Sequence, residues 1–413
     1  MPSVLFVCHG FPLNTMGGVG KIVETLIQHM ASIGWDVHLL TPQQHRITRT
    51  KITNTKYSWG THHTLHTSTL LWHHSWSSSS AIGTLQTLCQ QWNFDICHIH
   101  HLSGLPLDWK HILPTHCKLV LTLHDYALPC ARGQLYHRDH YVCSGPTMEK
   151  CTLCLEPFLQ WYAAKQKYVE QRLDLVQQLL SRADIIQSPS VDLQKRCGQL
   201  YPSLSIELVH LPVDTIYSTH FLSSVLSSVP KTRDCIFVGS IIPTKGLHLV
   251  LKAMHHIHRL YPKEHYSLGI IGSGFPTAHF PTYEQHCHQL AMGLDIVWYG
   301  TLSAHEIKNI LPQYKTLVVP SLWPENSPIS IREAKQFRLD IVCPRYGGSA
   351  ELSTDAWLVG DPLHHVIGVS ALAETIRASI LYPKNIRQEF PTPMEFGTTM
   401  QHIYQKLCTP HTT

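Results

Sequence analysis

The sequence predicts an α/β protein of two doubly wound parallel-sheet domains, and three observations carry that prediction. Short apolar, β-branched runs alternate with longer stretches of helical periodicity along nearly all of the 413 residues. The alternation comes as two series, one opening at residues 4–8 and the other at 235–239. Several of the strands run into glycine turns, where bare backbone can approach a phosphate at a helix start. The implied organisation is a first domain at 1–213, a linker at 214–232, a second domain at 233–385, and a helix at 386–413 able to cross back to the first domain.

Composition excludes some classes and leaves others open. Hydrophobic residues make up 43% and charged residues 15%, which suits a globular chain poor in charge. A net charge of +4 is mild and does not point to nucleic acid. Residues 1–12 lack the cationic region and cleavage site of a signal peptide, and no apolar run approaches the roughly 18 residues that span a bilayer. A cytoplasmic protein is the expectation. Thirteen cysteines, odd in number and scattered, argue against a secreted disulfide framework. With 32 histidines, a single one is more often surface or core than ligand.

In order, 4–8 reads as a buried strand, followed by the turn Met16-Gly17-Gly18-Val19-Gly20. Ile22, Val23, Leu26, Ile27 and Met30 recur at helical spacing, and Gly34 closes that helix. Residues 35–41 form the next strand, completing a βαβ opening. From Val37 to Phe94 there is no Asp or Glu. That stretch interleaves Arg46, Arg49, Lys51 and Lys56 with Tyr57, Trp59, Trp72 and Trp76, and with histidines at 62, 63, 66, 73 and 74. Such a surface suits anionic lipid headgroups or a phosphorylated acceptor, or is a polar excursion with no partner.

Residues 94–101 form another strand, with His98 and His100 on one face. Residues 119–123 form a further one, ending in His124-Asp125-Tyr126, where open α/β sheets place ligands. Imidazole there can donate to a hydroxyl or phosphate, with Asp125 orienting it. Cys130, Cys143, Cys151 and Cys154 follow, the last three spaced C-x7-C-x2-C. They suit either a structural zinc site of four thiolates or reduced thiols packed under a loop. A long helix at 158–182 and strands at 185–187 and 206–211 lead to the linker.

The second series has strands at 235–239, 267–271, 296–299, 316–319 and 340–343, with helices between and glycine turns at Gly239 and at Gly272-Ser273-Gly274. Lys245, just past the first of these strands, is placed as a point charge for a phosphate. The stretch 318–333 is the richest in chemistry. An apolar strand ends near Pro320, a loop carries Trp323, Pro324 and Glu325, and a helix follows. Ser327 is expected as its N-cap and Pro328 at its first position. Free amides at that helix start, at Asn326 to Ile329, suit a diphosphate, and the carboxylates Glu325 and Glu333 suit vicinal hydroxyls. The pair fits a ligand with both sugar and phosphate. Further helices lie at 369–381 and 394–407.

These residues together resemble the family 4 glycosyltransferases, whose GT-B architecture has two Rossmann-like domains facing across a donor-binding cleft. The resemblance covers nearly the whole chain. It rests on Gly17-Gly18-Val19, His124-Asp125-Tyr126, Phe237-Val238-Gly239 with Lys245-Gly246, Gly272-Ser273-Gly274, Pro320-Ser321 leading into Glu325-x7-Glu333, and Gly347-Gly348 with Glu351. The cysteine set looks like that of a branch making bacterial surface polysaccharides.

The resemblance implies a retaining transferase with a nucleotide-sugar donor in the C-terminal domain and a glycan or lipid-linked acceptor on the N-terminal one. It implies no cofactor for the chemistry. Glu333 would bond ribose hydroxyls, Glu325 and the amides after it the sugar, Lys245 the diphosphate, amides near Gly18 the same group, and His124 the sugar near its reacting carbon. Ser240 departs from the family, which usually has an Arg there; Arg345 is a candidate substitute. That departure keeps a non-catalytic sugar-nucleotide-binding subunit in view, with a nucleotide-sugar epimerase of the same fold as a further alternative.

Overall fold

A computed structural model of the chain describes residues 1–11, 18–45, 50–68, 78–138, 141–156, 165–212, 219–274, 282–353, 355–361, 365–384 and 390–409. The chain divides into two compact units. The first comprises Met1–Arg138, Cys143–Pro212 and Pro391–Thr413, and the second is essentially Val213–Phe390.

Unit 1 holds β1 (Ser3–Val7), α1 (Gly18–Ser32), β2 (Asp36–His45), β3 (Lys51–Tyr57), β4 (Gly60–Ser68), α2 (Ser79–Trp92), β5 (Ile96–Ile99), α3 (Trp109–Ile112), β6 (Lys118–Thr122), α4 (Met148–Leu155), α5 (Lys165–Arg182), β7 (Ile185–Ser188), α6 (Val191–Leu200) and β8 (Ile206–Leu208). Its sheet runs β3-β4-β2-β1-β5-β6-β7-β8 and is parallel except for the β3–β4 hairpin. All five residues of β1 are buried, as expected of a strand covered on both faces. The chain goes from β1 to β2 on one side and returns to β5 on the other. The strand order therefore reverses at β1 and β5, and their C-terminal ends mark the crevice where such sheets take ligands.

Unit 2 begins with α7 (Thr219–Ser228) and β9 (Arg233–Val238). A 3-10 turn at Pro243–Lys245 leads into α8 (Leu247–Leu260), β10 (Leu268–Ile271), α9 (Tyr283–Leu290), β11 (Ile296–Gly300) and α10 (Ala304–Ile310). Then come β12 (Tyr314–Val318), α11 (Ile329–Gln336), β13 (Asp340–Pro344), α12 (Gly348–Glu351), β14 (Trp357–Val359) and α13 (Val369–Leu381). The sheet is wholly parallel, in the order β11-β10-β9-β12-β13-β14, and reverses at β9 and β12. Alternate residues of β9 serve opposite faces. Cys235 and Phe237 pack with α8 and α13, and Ile236 packs with Ile331 and Ala334 of α11.

One stretch departs from the sequence expectation. The 214–232 stretch, read as linker, carries α7, because Leu222 and Val225 at helical spacing pack onto the unit 2 core despite their serine-rich surroundings. The last helix, α14 (Pro393–Cys408), belongs to unit 1. Thr392 and Glu395 close it with a capping box. Phe396, Met400 and Tyr404 lie along one face and enter the same core as Phe6, Leu26 and Met30. At the contact, a Cβ on Gly397 would stand 2.4 Å from the His29 ring.

The acid-free stretch becomes β2 to α2. Of its residues, β3 is an edge strand whose Lys51 and Tyr57 face solvent, with Tyr57 stacked on Trp59 at 5.2 Å. Arg46, Arg49, Trp72, His73, His74 and Trp76 lie outside the described residues. Among the described residues no helix is long and apolar enough to cross a membrane.

Candidate functional site

In unit 2 the sequence-predicted residues gather at the C-terminal ends of β9, β10 and β12. The turn after β9 carries Lys245 and closes on Gly246, whose φ is +76°. A Cβ there would stand 2.1 Å from the Pro320 carbonyl oxygen, so only glycine lets the turn lie against the end of β12. The Leu322 amide then donates to the Thr244 carbonyl, at 2.8 Å. This contact brings Lys245 to Glu325, with Nζ 2.5 Å from Oε1, and over the Trp323 ring.

Glu325 is only 5% exposed, so its charge needs partners. Lys245 is one, and the Ser321 hydroxyl donates to the same carboxylate oxygen. The main chain of Glu325 is fixed as well, since its carbonyl accepts from the Gly348 amide. A Cβ on Gly347, at φ +75°, would meet Glu325 backbone at 2.8 Å. The Gly347-Gly348 turn and the Lys245 turn thus brace one residue from two directions. Gly239 and Gly272 also meet backbone to backbone, a Cβ on Gly272 standing 2.0 Å from the Gly239 carbonyl oxygen. Gly274 faces the Glu284 side chain instead.

Glu333 lies in α11 and is buried, which rejects the ordinary helix-surface reading. Asn326 is buried beside Glu325. Ser327 is not the N-cap. Pro328 occupies that position with extended backbone, α11 starts at Ile329, and the Ser327 hydroxyl accepts from the Arg332 guanidinium at 2.6 Å. The backbone of Pro328 itself explains the shift, since its ψ of 121° is extended and keeps it outside the helix. Arg332 is itself buried, over the Phe390 ring, and burial lowers its pKa to about 10. Ser240 is exposed. Arg345, the candidate substitute cation, is exposed at the end of β13 and lines a shallow depression with Val359 and Asp361 that does not include Lys245.

Unit 1 places His124-Asp125 two residues past β6, beside the ends of β1 and β5. A cavity of about 340 Å3 is lined there by His100, His101, His124 and Asp125, with Leu105 and Leu128 among the apolar groups. His101 accepts from the Ser103 amide at Nδ1 and donates from Nε2 to Asp125 at 3.2 Å. Burial alone would raise the Asp125 pKa, but His101 and the Ala127 amide offset it, and the carboxyl ends below its ordinary value. Burial first holds both His100 and His124 far below the usual imidazole pKa, helped at His100 by the neighbouring His98 and at His124 by His100. His9, at the end of β1, is lowered to about 4 by burial and by His101. The site therefore offers neutral imidazoles and one carboxylate at neutral pH. Gly18 is the exposed first residue of α1, and Gly17 lies outside the described residues.

The zinc expectation is not supported. Cys130, Cys143, Cys151 and Cys154 are free thiols, and among the described residues no group of three or more His, Cys, Asp or Glu side chains is placed to hold a metal. The thiols have other contacts: Cys143 donates to the Gly145 carbonyl at 3.4 Å and Cys154 accepts from Arg132 at 3.7 Å. His98 is fully buried and bonded to Tyr404 and Thr122.

Sequence reasoning missed Ser321, His9, His100 and His101 as site residues. The i, i+4 spacing of Ser321 and Glu325 was visible, but their loop gives that spacing no fixed geometry. His100 and His101 follow β5 directly, and the strand-end rule applied to His124 covers them equally.

Comparison with known proteins follows the same division. A family model described as "Glycosyltransferase Family 4" matches residues 16–216, and one described as "Glycosyl transferases group 1" matches 221–376. Among solved structures, sucrose-phosphate synthase from Thermosynechococcus elongatus is similar at a TM-score of 0.65 and 15% identity, covering 98% of this chain and 95% of that one. Escherichia coli trehalose-6-phosphate synthase bound with UDP-2-fluoro glucose gives 0.64 at 11%, covering 98% and 96%. Anabaena Alr3699/HepE in complex with UDP and glucose gives 0.57 at 14%, covering 98% and 94%. At such identities these structures speak for the fold. No curated protein matches the sequence significantly.

Proposed function

We propose that the chain is a GT-B glycosyltransferase of the family 4 type, as the two family models it matches support, and that it moves a hexose from a nucleoside diphosphate donor to a hydroxyl of a glycan or lipid-linked acceptor, with retention at the anomeric carbon. The observation that carries this reading is the bracing of Glu325 by Lys245, Ser321 and the Gly347-Gly348 turn at the point where the unit 2 sheet reverses. A buried carboxylate beside a lysine gives a sugar-diphosphate both partners it needs: an acceptor for sugar hydroxyls and a cation for phosphate.

In this reading Lys245 turns from Glu325 to the diphosphate when donor binds, and Glu325 turns to the sugar. Glu333 takes the ribose hydroxyls, and the amides of Asn326, Ser327 and Ile329 take phosphate and sugar oxygens. His124 is assigned to the transferred sugar. The acceptor oxygen attacks the anomeric carbon on the face that the diphosphate leaves. The C1–O bond to phosphate breaks, and a departing phosphate oxygen takes the acceptor's proton. Positive charge and oriented amides at the leaving group supply the stabilisation that such a step requires.

UDP, the nucleotide in the Anabaena and Escherichia coli complexes, is the base to try first. A thermal-shift screen against UDP-, GDP-, ADP- and dTDP-sugars, repeated with Glu333→Ala, tests the assignment. A donor at about a hundred times its Kd stabilises the fold by roughly 2.7 kcal/mol. The expected result is a shift with one nucleotide class that Glu333→Ala abolishes. No shift with any donor, or equal shifts in the variant, overturns the site.

A further inference from the structure

The buried stripe of α5 contains Tyr168, Val169, Val176, Leu179 and Leu180, and at its centre, where helical spacing calls for another apolar residue, stands Arg172. The residue is 8% exposed. Its guanidinium reaches the loop after β6, with Nη1 donating to the Leu128 carbonyl at 3.0 Å and Nη2 to the Ala127 carbonyl at 2.5 Å. Those bonds take two of the five N–H groups of an arginine, and they do not neutralise its charge.

Burial disfavours that charge and pushes the Arg172 pKa down. The neighbours that hold it up are Cys130, Tyr168, Tyr201 and Cys151, thiols and phenols rather than carboxylates. Among the described residues no carboxylate forms an ion pair with it. A buried charge is costly unless it is paired, and a neutral amide donor would serve two carbonyls as well. The charge therefore points to an anionic ligand.

The surroundings have room for one. Arg172 lines the unit 1 cavity of about 340 Å3, together with Tyr168, Leu105, Leu107 and Leu128. Among the described residues the one acidic group of that lining is Asp125, and its carboxylate is engaged by His101 at 3.2 Å and by the Ala127 amide at 2.7 Å. The volume lies at the low end for ligand pockets and suits a single sugar ring with its substituents.

We propose that this cavity is an oxyanion-binding subsite, in which Arg172 pairs with a phosphate or carboxylate group carried by a monosaccharide unit. A guanidinium fork matches either group with two parallel hydrogen bonds. The leucines give the sugar ring its apolar contact. That the ligand is the acceptor rests on the transferase reading, which this inference narrows to an acidic sugar. That it is an anion rests on Arg172.

Calorimetry on the full chain tests it, with glucose 6-phosphate, glucuronate and glucose as probes. Lys245→Ala serves as the background, so that the cation of unit 2 does not supply the signal. At least one acidic sugar should bind about ten- to a hundredfold tighter than glucose, the worth of a charged hydrogen bond, and the tighter of the two names the oxyanion. Arg172→Gln should bring its affinity down to that of glucose. Arg172→Lys, which keeps the charge without the fork, should weaken it about tenfold. Equal binding of acidic and neutral sugars, no binding of either acidic sugar, or a preference that survives Arg172→Gln overturns the proposal. Circular dichroism verifies the fold of each variant. If Arg172→Gln does not fold, Arg172→Lys decides, and undiminished binding in it overturns the proposal. None of these readouts requires turnover. The sugar-nucleotide shift lost in Glu333→Ala judges the transferase reading separately, so either can fail alone.

Discussion

Glu325 sets the terms at the scale of single residues. In the unliganded protein its carboxylate neutralises Lys245, the cation assigned to the diphosphate. Nucleotide binding must break that pair, so Glu325→Gln should free Lys245. The expected outcome is UDP affinity equal to or above wild type, together with a transfer rate about ten- to a hundredfold lower, since a charged hydrogen bond to the sugar is worth roughly 1.5–3 kcal/mol. Calorimetry with UDP and a transfer assay decide it; weaker UDP binding in the variant would show that Glu325 supports the nucleotide side. Much of this residue set was legible. Glu325, Lys245 and His124 were singled out in sequence because a carboxylate, a lysine and a histidine after strand ends have few structural reasons to be there, and Glu333 because it follows in the next helix. Ser327 was misassigned because an N-cap depends on one residue's backbone angles, and Pro328 takes extended ones itself. Ser321 stood in the motif, but its contact with Glu325 lies within an irregular loop whose geometry the spacing does not fix.

Turns decide the geometry at the scale of elements. Gly246 combines a left-handed φ with backbone contact against Pro320, so Gly246→Ala should cost about 3 kcal/mol, from backbone strain of about 1–2 kcal/mol and overpacking of about 1–3 kcal/mol. Gly83, inside α2 with nothing within 4 Å of an added Cβ, is the control. Gly83→Ala should stabilise by about 0.5–1 kcal/mol. Urea denaturation of both variants checks the pair, and equal effects would remove the argument for a glycine-tight turn at Lys245. The strands were legible in sequence because buried parallel strands read as unbroken apolar runs. The helix α7 was not. Leu222 and Val225 make its apolar stripe, and the serines between them looked like linker.

Buried histidine governs the molecule as a whole. Burial lowers His9 and His62 to about 4 and His63 to about 3, the last helped by His38 and His62, and drives His98, His100 and His124 well down. An unfolded histidine titrates near ~6.5. Between those values the unfolded chain binds more protons than the folded one, so stability is fully present above about pH 6.5 and falls as pH drops toward 4. Each such group steepens the fall by up to about 1.4 kcal/mol per pH unit. The thermal midpoint should drop markedly from pH 7.5 to pH 5, and an unchanged midpoint would contradict the burial of these rings. The two-series organisation behind this core was plain in the alternation of strands and helices. The packing of α14 on unit 1 stood in the sequence only as a helix able to cross back, since amphipathic spacing shows that a helix has a partner without naming it.

The docking of Phe396, Met400 and Tyr404 into the core of unit 1 has a consequence for biosynthesis. Chains emerge from the ribosome at about 5–20 residues per second, so a chain of this length takes roughly 20–80 seconds. The first half of the protein is made early yet lacks a wall of its own interior until the final helix appears. Unit 2, coded as one nearly continuous segment, can close first. A nascent N-terminal half would meanwhile expose the Ile22, Leu26 and Met30 face of α1 to chaperones, and a stretch translated only after unit 2 becomes the one that commits the first to its native form.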